Sequence, residues 1–276
     1  MRRFLLLAFA AVTLAVLSLV ALRLTRSASN DRAWTESQRI APRVTASDER
    51  VDIRNLRDFT WRSETDFDIR YEDRTYDLSE LDSAWYVVSR FGSVPGLAHA
   101  FLSFGFGDEY VAVSVEARKE ATESYSPIRG LLGQYELIYV IGTERDLIGL
   151  RTNVWREAVT LYPIRAGRET LQRTFLDIVG RAEKLAVEPE LYDTLLNSCS
   201  SNIVRHVNTI SPGQIRADLR TVLPGYSDRV AHELGMIDSD LPLERLRETF
   251  RIDAVAQRSP LDERFSRAIR QHLPGR

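Results

Sequence analysis

Between Trp85 and Arg151 the chain alternates short runs of aromatic or branched residues with polar breaks. The runs predict strands at Trp85 to Phe91, His99 to Phe106, Tyr110 to Arg118, Tyr135 to Ile141 and Asp146 to Arg151. Beyond Pro163 and Gly167 the period lengthens. Leu171, Phe175, Ile178, Val179 and Leu185 recur close to helical spacing and predict a helix from Arg168 to Leu185, with Gly180 inside it. Pro189 reopens the chain before Leu191 to Leu196, and the amphipathic run Ile203 to Ile210 predicts a second helix. Another starts at Leu223-Pro224-Gly225 and continues through Leu234, and Pro242 and Pro260 punctuate a charged, helical C-terminal stretch.

The N-terminal pattern differs. Met1-Arg2-Arg3 precedes a charge-free, mostly apolar stretch from Phe4 to Leu22, and Arg23 and Arg26 follow it. At about 1.5 Å per helical residue this run is long enough to span a bilayer, so residues 1–26 read as a signal anchor or signal peptide. Its length exceeds the apolar core of roughly 7–15 residues in a cleaved signal, which favours an uncleaved anchor. Arg2 and Arg3 then stay in the cytoplasm and the chain beyond Leu24 lies outside. Residues 27–51 suit a juxtamembrane segment, 52–238 the folded domain, and 239–276 a helical extension. Acids and arginines at helical spacing there, such as Glu244, Arg245, Arg247 and Glu248, make it a solvated helix or a surface for a protein partner.

Composition narrows the chemistry. With 44% hydrophobic and 28% charged residues and a net charge of −2, the chain is ordinary for a globular protein. Among its 37 basic residues only Lys119 and Lys184 are lysines, and the arginines are scattered among acids; no nucleic-acid surface is expected. One cysteine forbids an intrachain disulfide, so the core must hold the fold. No residue cluster has metal-ligand spacing and no Gly-rich phosphate loop occurs, so neither metal nor cofactor is expected.

The most specific local geometry is a hairpin. With Gly107-Asp108 as a two-residue turn, Leu102, Phe104 and Phe106 share the core face with Val111, Val113 and Val115. On the other face Ser103 lies opposite Ala112, Phe101 opposite Ser114, and His99 opposite Glu116. A carboxylate across from an imidazole holds its tautomer and stabilises the imidazolium, as a general base requires. A three-residue turn would instead set Ala117 opposite His99.

The lone Cys199 sits in Asn197-Ser198-Cys199-Ser200-Ser201-Asn202, directly before the amphipathic run. With Asn197 as N-cap, Cys199 falls in the first helical turn, where unpaired N–H groups and the helix dipole lower a thiol's pKa. That makes it a candidate nucleophile, against the alternative of an idle buried cysteine. His206 lies about two turns further along the helix, too far to serve as its base, and His232 and His272 fall in expected surface helices.

A strand histidine followed much later by a helix-start cysteine reverses the papain order and matches circularly permuted papain-like proteins. Several ordered segments also resemble the Lnb-type extracytoplasmic domain, a family named for bacterial lipoprotein intramolecular transacylases. They are His99-Ala-Phe-Leu-Ser-Phe104, Ala112-Val-Ser-Val-Glu-Ala-Arg118, Tyr125 to Tyr139, Glu144 to Thr152 and Tyr192 to Asn202. The family's cysteine motif usually reads Asn-Asn-Cys-Thr-Thr; here it is Asn197-Ser198-Cys199-Ser200-Ser201, with the second Asn lost.

The resemblance implies an α+β, circularly permuted papain-like (NlpC-like) domain with an antiparallel sheet and a cysteine-bearing helix, placed after an N-terminal membrane helix. It implies a bacterial cytoplasmic-membrane location, crossed once, with the domain facing the periplasm or cell exterior. It makes Cys199 and His99 the catalytic pair; Glu116 is the orienter from the hairpin register. Asn197, Tyr139 and Arg118 are candidates for substrate binding or oxyanion stabilisation. The expected activity is thiol acyl transfer from a lipoprotein or membrane-lipid ester to an amine. Alternatives are a papain-like peptidase or peptidoglycan amidase, which predicts a polar cleft beside Cys199, and a non-catalytic envelope scaffold.

Overall fold

A computed structural model describes residues 25–216 and 218–274, together with Phe9, Thr13, Leu14 and Arg23. The expected anchor Phe4 to Leu22 thus lies almost wholly outside the described residues, among which no helix is long and apolar enough to cross a membrane.

In chain order the strands are β1 (Arg43–Ala46), β2 (Arg50–Arg57), β3 (Thr60–Trp61), β4 (Phe67–Asp68), β5 (Tyr71–Asp77), β6 (Leu81–Arg90), β7 (Ala98–Phe106), β8 (Glu109–Arg118), β9 (Glu136–Thr143) and β10 (Ala158–Pro163). The main sheet runs β1-β2-β9-β8-β7-β6-β10, with β5 also paired to β2. The hairpin pairs in the predicted register from Phe106 opposite Glu109 to Leu102 opposite Val113, with Gly107 supplying a φ of 61° at the turn, and the ladder stops short of the expected Phe101–Ser114 and His99–Glu116 pairs. The expected antiparallel sheet has one parallel link, where Arg57 of β2 pairs with Gly142 of β9. A Cβ at Gly142 would stand 2.7 Å from the Arg57 carbonyl oxygen and 2.4 Å from Leu147, so only glycine allows this approach.

The helices are α1 (Pro127–Leu131), α2 (Glu144–Gly149), α3 (Arg168–Val187), α4 (Cys199–Ile210), α5 (Leu219–Val222), α6 (Ser227–Glu233), α7 (Leu243–Thr249), α8 (Asp253–Ala256) and α9 (Phe265–Ala268). The result is an α+β fold whose sheet is buried on both faces. On one, Phe175 of α3 packs against Phe104 and Phe106 with ring centres 5.0 and 5.3 Å apart, the second pair edge-on, and α4 crosses β7 and β8. On the other, Ser103 donates to Glu144 at the start of α2 (2.5 Å).

Three segments depart from the sequence reading. Asp146 to Arg151 is helical, not a strand: α2 runs on into a π-helical turn, Leu150–Val154. Thr143 caps α2, and Asp146 is drawn inward to Arg57 by two 2.8 Å hydrogen bonds, so the polar positions of the run are buried too. Residues 27–51 are not a bare stalk, since β1 lies in this stretch and joins the sheet beside β2. The C-terminal extension is not a solvated helix: Leu246, Phe250, Ile252, Phe265 and Ile269 are buried, and Ile252 N–H donates to Val159 (2.9 Å) at the β10 edge. Its charges occupy the outward faces of short helices whose apolar faces close the sheet.

Candidate functional site

Cys199 is the first residue of α4. The N-cap is Ser198, not Asn197: Ser198 N–H donates to Ser201 Oγ (2.7 Å) in a capping box. The Cys199 amide itself makes no hydrogen bond among the described residues, which leaves a first-turn donor beside the sulfur. The thiol is buried and lies against the backbone amide of Ala100, the residue after His99. This approach is available because pairing of β7 with β8 ends at Leu102–Val113, two residues before the strand reaches Ala100.

The expectation of a lowered thiol pKa is overturned. Burial pushes it up, the amides of Ala100 and Ser200 and the Arg151 charge pull the other way, and the Glu116 carboxylate adds to the rise. Desolvation outweighs the helix terminus, and the resting sulfur is a neutral thiol.

His99 enters a polar chain from β7. Its Nε2 is 2.6 Å from Ser114 Oγ, and Ser114 donates to Glu116 Oε1 at 2.7 Å. A serine hydroxyl has one proton, so with that proton on Glu116 it accepts from His99 Nε2–H. The imidazole is thereby the Nε2–H tautomer, and Nδ1 keeps a free lone pair with no hydrogen bond among the described residues. Glu116 Oε1 is also 3.4 Å from Nε2 directly. Burial holds His99 down at about 4, with Arg151 adding to the shift and Glu116 opposing it.

Arg151 completes the chain from the π-turn. Its Nη2 donates to Glu116 (2.8 Å), its Nη1 to the Leu147 carbonyl (2.9 Å), and the guanidinium lies 4.8 Å from the Phe101 ring centre. Burial alone would raise the Glu116 carboxyl. The charges of His99 and Arg151 and the Ser114 and Arg151 hydrogen bonds overcome it and hold the group down at about 2. Sequence reasoning missed Ser114 and Arg151 as functional residues. Period-two alternation already set Ser114 on the His99 face, whereas reading 146–151 as a strand hid where Arg151 points.

The other proposed residues lie elsewhere. Arg118 donates to the carbonyls of Gln38 (2.9 Å) and Arg39 (2.7 Å) and covers Trp34, clamping the N-terminal segment to β8. Tyr139 bonds Asn202 (3.1 Å) and His206 (2.7 Å), and His206 Nδ1 meets Asp177 (2.6 Å), so this buried group joins β9, α4 and α3. Asn197 spends its amide on the Leu191 carbonyl (2.9 Å) and accepts from Asn202 (3.0 Å), which fixes the loop before Cys199. Each of the three is engaged in these structural hydrogen bonds. His232 bonds the Leu241 carbonyl (2.9 Å) and the exposed His272 the Arg251 carbonyl (3.1 Å).

Burial raises the phenols of Tyr86, Tyr125 and Tyr192 above their ordinary range, and Cys199 adds to the rise in each. From Ser200, the next residue, an apolar cavity opens between α4, β7 and α6, walled by Leu102, Ile203, Val204, Val207 and Met236. No group of acids, histidines and cysteine that could hold a metal occurs among the described residues.

A family model for the Lnb N-terminal periplasmic domain matches residues 68–225, more than half of the chain, and that span contains His99, Glu116 and Cys199. The chain belongs to the Lnb N-terminal periplasmic domain family. No curated protein and no solved structure matches it. The Lnb-type match covers both the hairpin that carries the His99 chain and the helix start that carries the thiol.

Proposed function

We propose that this Lnb-type protein is a membrane-anchored thiol acyltransferase of the cell envelope, with Cys199 as nucleophile and His99 as base in a permuted papain-like arrangement. His99 Nδ1 takes the Cys199 proton as sulfur attacks an ester carbonyl, and the Cys199 amide supplies a donor to the oxyanion. The C–O bond breaks, the departing alkoxide takes the proton from His99, and a thioester remains. An amine then attacks the thioester, gives its proton to His99 and leaves as the amide, restoring the thiol. Because thiol and imidazole both rest neutral, the pair works by general-base transfer during attack, not as a standing ion pair.

What favours an acyl substrate over a peptide or peptidoglycan is the apolar lining of the small cavity, about 70 Å³, at Ser200 beside the thiol's helix turn, where a peptidase calls for a polar cleft. The fitting substrate is a lipoprotein or membrane-lipid ester with its ester carbonyl at the thiol. The test is mass spectrometry of lipoprotein N-termini from cells carrying wild type, Cys199→Ala or His99→Ala, with Cys199 trapped by an acyl-ester probe. Transfer of a chain from glycerol to amine with wild type alone supports the reading. Labelled Cys199 with unchanged lipoproteins replaces it with hydrolysis of another substrate, and no labelling at all leaves a scaffold.

A further inference from the structure

A patch of exposed apolar side chains stands beside the site. Ile128 is 70% exposed and Leu196 74%, and Leu131, Leu195 and Tyr125 project with them. They come from two segments held together: Thr194 Oγ1 donates to the Pro127 carbonyl (2.8 Å), and Gly130 of α1 packs against Thr194 and Tyr192 with no room for a side chain. Asp193 shapes the second segment by accepting the amides of Leu195 (2.8 Å) and Leu196 (2.9 Å). A loop whose backbone is held by its own aspartate with two leucines outward is an ordered apolar surface.

Its position names the occupant. Arg23, the first charge after the apolar run Phe4 to Leu22, pairs with Asp193 and donates to the Leu131 carbonyl (2.7 Å). Arg23, directly after that run in sequence, therefore meets the domain at the patch. Arg23, Arg26 and the exposed Arg129 rim it with positive charge, which suits anionic head groups. The same loop leads through Asn197 to Cys199, three residues beyond Leu196.

We infer that α1 and the 193–196 loop form a lipid-docking surface that seats the Cys199 side of the domain on the bilayer from which Phe4 to Leu22 emerges. Ile128, Leu131, Leu195 and Leu196 enter the interface, and the arginines meet phosphates around them. Docking rests on the membrane reading of the site and deepens it, since an ester substrate then reaches the thiol without leaving the bilayer.

The test uses the full chain reconstituted in vesicles of phosphatidylethanolamine and phosphatidylglycerol. In a Cys199→Ser background, Ile128→Cys, Leu196→Cys and Asp108→Cys each carry a fluorophore; Asp108 lies at the far turn of the β7–β8 hairpin. Probes at 128 and 196 should be quenched by spin-labelled acyl chains and protected from aqueous iodide, and the probe at 108 should behave oppositely. Equal behaviour at all three sites overturns the inference, as does protection that depends on protein concentration, which would mark a second copy as the occupant. This readout involves no reaction, so docking stands or falls apart from the proposed activity. As a second measurement, Ile128→Asp with Leu196→Asp should lower turnover of a vesicle-borne diacyl ester at least tenfold while alkylation of Cys199 by soluble iodoacetamide is unchanged. Unaltered turnover overturns the inference.

Discussion

Ser114 stands between His99 and Glu116, accepting from the imidazole Nε2 at 2.6 Å and donating to the carboxylate at 2.7 Å. One hydroxyl thus fixes the histidine tautomer and passes the influence of a buried charge to it. Ser114→Ala should lower kcat by about 10- to 100-fold with little change in KM, and Ser114→Thr should restore part of the loss. Steady-state kinetics on a chromogenic acyl ester checks this; a wild-type kcat for Ser114→Ala would mean that the 3.4 Å His99–Glu116 contact suffices.

The acid limb of kcat/KM should fall near pH 4, because burial holds His99 there instead of near its ordinary 6.5 and only the neutral ring accepts a proton. Stability has the same sign. As pH drops below 6.5 the unfolded chain binds a proton at His99 that the folded chain refuses until about 4, so the fold weakens across that window. Glu116, held at about 2 from an ordinary 4.5, adds a further loss between those values. Tm measured against pH should slope downward from 6.5 to 4 in wild type and lie flatter in His99→Gln.

Arg151→Met removes the charge that pushes both His99 and Glu116 down. The acid limb should move to higher pH and kcat/KM at neutral pH should fall at least about tenfold, the scale of losing a positioned charge. A pH–rate profile identical to wild type would remove Arg151 from the site.

Tyr139→Phe should cost about 1–2 kcal/mol by leaving buried His206 and Asn202 short of a partner, while alkylation of Cys199 keeps its wild-type rate. Urea unfolding and iodoacetamide kinetics separate the two effects. A slowed thiol with unchanged stability would return Tyr139 to the binding role its sequence context suggested.

Gly142→Ala should destabilise the domain by about 2 kcal/mol or more, since the added carbon meets the Arg57 carbonyl and Leu147 together. Thermal unfolding reads the loss directly, and a neutral substitution would mean that the β2–β9 link opens at little cost.

The hairpin was legible because a two-residue Gly-Asp turn leaves one register, and that register put His99, Ser114 and Glu116 on one face before any contact was known. The segment 146–151 was not, because Leu147, Ile148 and Leu150 fit a short strand as well as a helix. What decided it was the Thr143 cap and the long-range pairing of Asp146 with Arg57, neither of which is visible in a local window. The thiol was misjudged for a similar reason: a helix start is local, but the burial that overrides it comes with packing against β7, a hundred residues earlier in the chain. In the C-terminal extension, regular charge spacing masked Leu246, Phe250 and Phe265, whose burial depends on the exposed edge of β10.

Arg270 donates twice to Glu144 at 2.6 Å, and Glu144 in turn accepts from Ser103 on the histidine strand. A chain made from its N-terminus delivers His99 first, Cys199 a hundred residues later, and Arg270 seventy-one residues after that. The strand that carries His99 therefore gains this anchor only after both His99 and Cys199 have been made, so the hairpin is held in place by a residue synthesised later than either.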